Sequence, residues 1–272
     1  MKRVLAALLI SLLALCVAAP AWAQTSEWMA LSDEAESLYR QGSYDRAVVV
    51  AKQALQIAEQ AEGANHPDVA ESLNRLALLY ASQRKYPLAE PLYKRSLAIK
   101  EAVLGQNHPD VAESLNNLAE LYRTQGQYAQ AEPLYRRSLA IWESTLGPDH
   151  TDVATSLNNL ALLYRAQGQY AEAEPLYKRS LAILEKSLGS NHPSVATSLN
   201  NLAVLYDNQS QYALAEPLYK RSLAIREKAL GPEHPDVATS LGNMAVLYRK
   251  TGRDPAAEAL EKRAAAIRAI KR

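Results

Sequence analysis

HPDVAESLNRLALLYASQRKYPLAEPLYKRSLAIKEAVLGQN, residues 66–107, returns almost unchanged from His108, His150, His192 and His234. These five block starters are all the histidines the protein has. A fixed period of 42 residues marks a repeat array. In such an array each unit buries its apolar face only against its neighbours. The chain therefore reads as a stacked scaffold, and everything else in it is judged against that period.

Each copy reads as two helices. In the copy from His108, Val111, Leu115, Leu118, Ala119 and Tyr122 fall three and four apart, which is one apolar helical face. Pro109 suits a first helical position, and Asp110 lies beside the positive end of the helix dipole. Gln125-Gly126-Gln127 interrupts the pattern. A second stripe follows through Tyr128, Ala131, Leu134, Tyr135, Leu139, Ile141 and Leu146, closed by Gly147. Nine of the ten glycines fall on such ends: Gly63, Gly105, Gly147, Gly189 and Gly231 after the second helix, and Gly42, Gly126, Gly168 and Gly252 in the turn between helices. Pro91, Pro133, Pro175 and Pro217 are the local conflict. They are expected near the start of each second helix, where a missing amide matters least, with a slight kink.

The stretch LNNLAELYRTQGQYAQAEPLYRRSLAI, residues 115–141, resembles a tetratricopeptide repeat. Leu118, Ala119, Tyr122, Gly126, Tyr128, Ala131 and Tyr135 stand in that family's packing positions. The long unit, opening on His-Pro-Asp and carrying LNNLA, is similar to the kinesin light chain type of repeat. The resemblance covers essentially the whole chain after its N-terminal stretch. It implies an all-α, right-handed superhelical solenoid of about six helix-turn-helix units, whose first helices line a concave groove that binds an extended peptide or a partner helix. The motor role of that type is not carried over, since the chain has an export-like leader and no heptad segment.

The organisation expected is a signal peptide at 1–23, a variant repeat at 24–65, four regular repeats at 66–233 and a capping repeat at 234–272. In the variant repeat the first helix, with Ala35, Leu38 and Tyr39, is expected one residue out of register. In the cap, Asp254 and Glu261 replace the turn tyrosine and the second-helix tyrosine, and such polar changes stop further stacking. At the N-terminus, Lys2 and Arg3 precede an apolar run from Val4 to Ala19, and Ala21-Trp22-Ala23 supplies the small residues a signal peptidase reads. Cleavage after Ala23, export and a periplasmic location are expected. An uncleaved anchor is the competing reading, but the run is short against the roughly 20 residues of a membrane span. Leu15 is too large for a lipobox ending at Cys16. Loss of Lys2 and Arg3 takes the net charge from +1 to −1 and leaves no cysteine, so the mature fold is held by packing alone.

Balanced charge, 30 basic against 29 acidic residues, gives no broad attraction to nucleic acid or anionic membrane. All 15 tyrosines lie in repeats, at packing positions more than as a base-stacking surface. The histidines, one per unit, are too far apart to share a metal and read as loop residues before a helix. No Ser/His/Asp or Cys/His constellation stands outside the repeat consensus. Glu90, Glu132, Glu174 and Glu216 recur as surface residues, not as an acid/base pair. No enzyme, cofactor or small-molecule substrate is expected; a protein or peptide partner is. Lys94-Arg95, Arg136-Arg137, Lys178-Arg179 and Lys220-Arg221 form a basic stripe expected on the convex face, paired with glutamates four residues earlier.

The candidate binding positions are those of the first helices that face inward without packing. They are Asn74, Asn116, Asn158 and Asn200, with Gly242 breaking the row, and then Asn117, Asn159, Asn201 and Asn243, with Arg75 breaking it. One turn on come Glu120, Leu162 and Val204, and then Arg123, Arg165, Asp207 and Arg249. A ladder of carboxamides can pair with a peptide backbone whatever its side chains, arginines would select acidic groups, and the apolar residues would take an anchor. The other reading is that the asparagines bond within and between repeats. Self-association through an end unit, or service as a non-catalytic subunit of an envelope enzyme complex, stays open on these residues.

Overall fold

The computed structural model describes residues 21–270 as twelve helices without strands. Residues 1–20 of the expected leader, Cys16 among them, lie outside the described residues. Six pairs follow one another: α1 (Ala21–Arg40) with α2 (Tyr44–Glu62), α3 (Pro67–Ser82) with α4 (Tyr86–Leu104), α5 (Pro109–Thr124) with α6 (Tyr128–Leu146), α7 (Thr151–Ala166) with α8 (Tyr170–Leu188), α9 (Pro193–Asn208) with α10 (Tyr212–Leu230), and α11 (Pro235–Lys250) with α12 (Asp254–Ile270). Each helix packs on the next in sequence, so the chain is an all-α solenoid of six units.

Local chemistry sets the helix ends. Each histidine is an N-cap in extended conformation, and its Nδ1 accepts a hydrogen bond from the amide two residues on, as in His150 with Asp152 at 3.2 Å. That satisfies one of the amides a helix start leaves unpaired. The nine glycines assigned to helix ends all have positive φ. At the turn position where two units lack glycine, Arg84 and Ser210 are driven into the same left-handed conformation, both at φ 58. The prolines sit deeper than expected. Pro133 is the sixth residue of α6, beyond the first turn, and the helix continues unbroken through it.

The core divides by end of the unit. Near the turn, Ala77, Tyr80, Ala89 and Tyr93 and their counterparts form one buried seam through the array. At the other end, Val111, Leu115, Ile141, Trp142 and Val153 begin a second. Buried alanines at the facing positions, Ala119 and Ala131 in the second regular unit, let the two helices approach closely. A fully buried tyrosine such as Tyr135 contributes about 1.5–3 kcal/mol by burial alone. The buried serine hydroxyl of four second helices is satisfied: Ser96, Ser138, Ser180 and Ser222 donate to the carbonyls of Ala70, Ala112, Ala154 and Ala196, each at 2.7 Å. The first unit keeps the register of the others. Buried Ala35 and Leu38 stand one period before buried Ala77 and Tyr80, so the expected one-residue shift does not occur.

Candidate partner-binding groove

The first helices of neighbouring units touch (α3 with α5, α5 with α7, α7 with α9, α9 with α11), whereas the second helices are held mainly by long side chains. A stack closer on one side than the other curves toward that side, so the first helices form the inner wall. The second helices form the outer wall, and its basic stripe is neutralised. Lys94, Arg136, Lys178 and Lys220 pair with Glu90, Glu132, Glu174 and Glu216 at 2.7–2.9 Å. Arg95, Arg137, Arg179 and Arg221 reach Glu59, Glu101, Glu143 and Glu185 of the preceding unit.

The recurrent glutamates do more than line a surface. Each also accepts the hydroxyl of a tyrosine in the next unit: Tyr122 on Glu90, Tyr164 on Glu132, Tyr206 on Glu174 and Tyr248 on Glu216. Their carboxyl pKa values are held down by these partners. Glu216 falls to about 2, because Arg253 and Lys220 both bind it.

On the inner wall the structure brings the asparagines together with one another. Asn117, Asn159, Asn201 and Asn243 donate Nδ2 to the Oδ1 of Asn74, Asn116, Asn158 and Asn200 one unit back, at 2.9–3.2 Å. The ladder is thus an inter-repeat lock. Asn74 and Asn200 are buried, while Asn116, Asn117, Asn158, Asn159, Asn201 and Asn243 are half-buried. Each rung uses one Nδ2 group and one carbonyl oxygen of its pair; in α7 the remaining Asn158 Nδ2 donates to Asn159 Oδ1 at 3.5 Å. In the second unit Arg75 takes the place of the second asparagine and bonds Glu36 of the first unit and Glu71 of its own helix instead.

The charged row is unevenly committed. Arg123 is held by Glu120, Arg249 by Asp254 and Glu261, and Asp207 by Lys250. Arg165 makes no ion pair among the described residues, and its Nε is buried without a hydrogen-bond partner. Leu162 and Val204 lie half-buried beside it, and Val246 of the last unit is exposed. Glu261, at the position of the buried Tyr219, closes the row as a carboxylate turned to Arg249.

Sequence reasoning missed one inward-facing position altogether, because it belongs to a second helix. Lys100, Trp142, Leu184 and Arg226, 42 residues apart, are all buried between successive first helices. Lys100 lies between Glu71 and Glu113. Arg226 donates to the Asp236 carbonyl at 3.1 Å, Ser240 Oγ at 2.8 Å and Thr197 Oγ1 at 3.4 Å. The alternation of cation, ring and aliphatic at one register was the available signal.

A solenoid of helical hairpins with a polar inner wall is a scaffold of the repeat-protein class. The tetratricopeptide repeat profile matches residues 29–102, 68–144, 110–186, 152–228 and 194–269, and the chain belongs to that family. BtubC (BKLC) from P. vanneervenii is 28% identical over 86% of this chain and 91% of its own, with a TM-score of 0.66. A putative kinesin light chain of Podosopora anserina with nearly identical TPR-like repeats is 30% identical over 75% of this chain and 97% of its own, at 0.64. A Rap protein complexed with competence and sporulation factor shares the fold at 16% identity, covering 90% of this chain and 77% of that one, at 0.64. No curated relative matches the chain in sequence. No described helix is long and apolar enough to cross a membrane.

Proposed function

We propose that this protein is a non-catalytic adaptor that holds an extended peptide or a helix of a protein partner along its inner wall. The observation that carries the reading is the centre of that wall. There the cation of Arg165, without an ion pair among the described residues, lies on the helix face that carries half-buried Leu162 and the asparagines Asn158 and Asn159. Such a surface offers backbone pairing, an acidic-group contact and an apolar anchor within two units. The Rap neighbour, seen in complex with competence and sporulation factor, supports use of this fold for binding. The Lys2-Arg3 start, apolar run and Ala-Trp-Ala site support export, which makes the partner a component of the cell envelope.

A photo-crosslinking residue placed at Leu162 or Val204 tests the groove in cells, with Arg136 on the outer wall as comparison. Groove positions should trap one and the same partner, and the outer position should not. Equal trapping from both walls, or none from the groove, overturns the reading. N-terminal sequencing of the protein from the envelope fraction should begin at Gln24.

A further inference from the structure

The position shared by Lys100, Trp142, Leu184 and Arg226 is filled unequally, and the difference leaves a pocket. Over Leu184, between α7 and α9, lies an open cavity of about 390 Å³ whose wall includes Thr155, Asn158, Ser194, Thr197, Ser198 and Asp152. The Ser198 hydroxyl at its edge is fully buried and has no hydrogen-bond partner. Burying a hydroxyl unpaired costs about 1–3 kcal/mol; Ser114 and Ser156 are orphaned at the same register, and of the three only Ser198 borders this cavity.

The next unit shows which group satisfies this arrangement. One period on, Arg226 stands where Leu184 stands, and its guanidinium is received by the Asp236 carbonyl, Ser240 Oγ and Thr197 Oγ1. Moved back by one period, those three acceptors are the Ser194 carbonyl, Ser198 Oγ and Thr155 Oγ1, and all three residues line the cavity. Thr155 spends its hydroxyl proton on the Thr151 carbonyl at 3.2 Å, which leaves its oxygen as an acceptor. The charge also corresponds. Each site carries one aspartate, on opposite walls: Asp236, whose counterpart at the cavity is Ser194, beside Arg226, and Asp152 of α7, the only ionisable residue in the cavity lining. Burial alone would push a guanidinium toward deprotonation, and Asp236 opposes that at Arg226.

From this internal template we infer that the cavity over Leu184 is a binding site for a guanidinium group, supplied by an arginine side chain of the partner lying on the inner wall. The methylene stem would rest on Leu184 and Leu188, with the planar head on the three acceptors. The biological occupant rests on the groove-binding reading above, but the site itself can be read without any partner.

The test is an NMR titration of the full chain with Nα-acetyl-arginine amide and with its neutral isostere, Nα-acetyl-citrulline amide, followed at the amides of Thr155, Ser194 and Ser198. The arginine probe should give saturable shifts confined to these residues, and citrulline should bind ~10-fold or more weakly, the value of a charge-assisted hydrogen bond. Leu184→Arg should fill the site as Arg226 does, raise the melting temperature and abolish probe binding. Ser198→Ala, which breaks no bond within the protein, should weaken the arginine probe with the fold intact. Equal binding of the two probes, shifts that never saturate, or undiminished binding in both variants would overturn the inference. Because the probe reads the cavity alone, its failure leaves crosslinking from Leu162 and Val204 to decide groove binding separately.

Discussion

Tyr135 and Tyr177 occupy the same place in successive units, both fully buried, yet the same substitution should cost much more at the first than at the second. The Tyr135 hydroxyl donates to Glu120 Oε2 at 2.6 Å. One period later Leu162 replaces Glu120, and the buried Tyr177 hydroxyl has the Arg165 guanidinium near it but outside hydrogen-bond geometry. A hydrogen bond to a charged acceptor contributes about 1.5–3 kcal/mol, and the partial exposure of Glu120 argues for the lower end. Tyr135→Phe should therefore cost about 1.5 kcal/mol. Tyr177→Phe keeps the ring and gives up only a contact with the Arg165 guanidinium that falls short of hydrogen-bond geometry, so it should change stability by less than about 0.5 kcal/mol. Burial raises both phenol pKa values, Tyr177 up to about 12 against the opposing pull of Arg165, and Tyr135 beyond the ordinary range, with Glu120 adding to the effect there. Denaturant unfolding of both variants gives the difference. Hydrogen exchange in α6 and α8 gives the location, since in a stack held by nearest neighbours the change should stay within adjoining units. Loss of stability by equal amounts in the two variants would show that the ring alone matters, and the hydroxyl argument would fall.

Ser210→Gly should stabilise by about 0.5–1 kcal/mol, because the left-handed cost to serine at φ 58 exceeds the added freedom of glycine in the unfolded chain. A fall in melting temperature would refute this. His150→Ala removes the acceptor for the Asp152 amide and should cost about 1 kcal/mol, with exchange quickened in the first turn of α7. Acid should loosen the seams between units. The pKa of Glu216 is depressed in the folded protein, so its contribution is complete above the unfolded value of 4.5 and is lost as pH falls toward 2. Glu90, Glu132 and Glu174 shift in the same direction. The melting temperature of wild type should drop across that window, and Glu216→Gln should flatten the drop; parallel curves would contradict the assignment.

The two-helix unit, its ends and its buried faces were legible because each is set by neighbours a few residues away. Glycine after a helix, histidine before one and apolar residues three and four apart act within a single copy. Even so, Pro133 and the opening helix were misplaced. Proline at a sixth helical position is tolerated because tertiary packing holds the helix, and Ala35 and Leu38 keep register because α3 offers one seam to fit.

What the sequence by itself determined is the period, and with it the solenoid, the six units and the rows of equivalent positions. The tertiary structure alone decided which member of one row meets which member of the next. Asn117 meets Asn74, Glu90 takes the hydroxyl of Tyr122, and Leu184 lies under a cavity that Arg226 fills elsewhere. Near-identical copies carry no mark of their partners, because the offset between units is fixed by the angle at which helices stack, and that angle is set by packing across the seam.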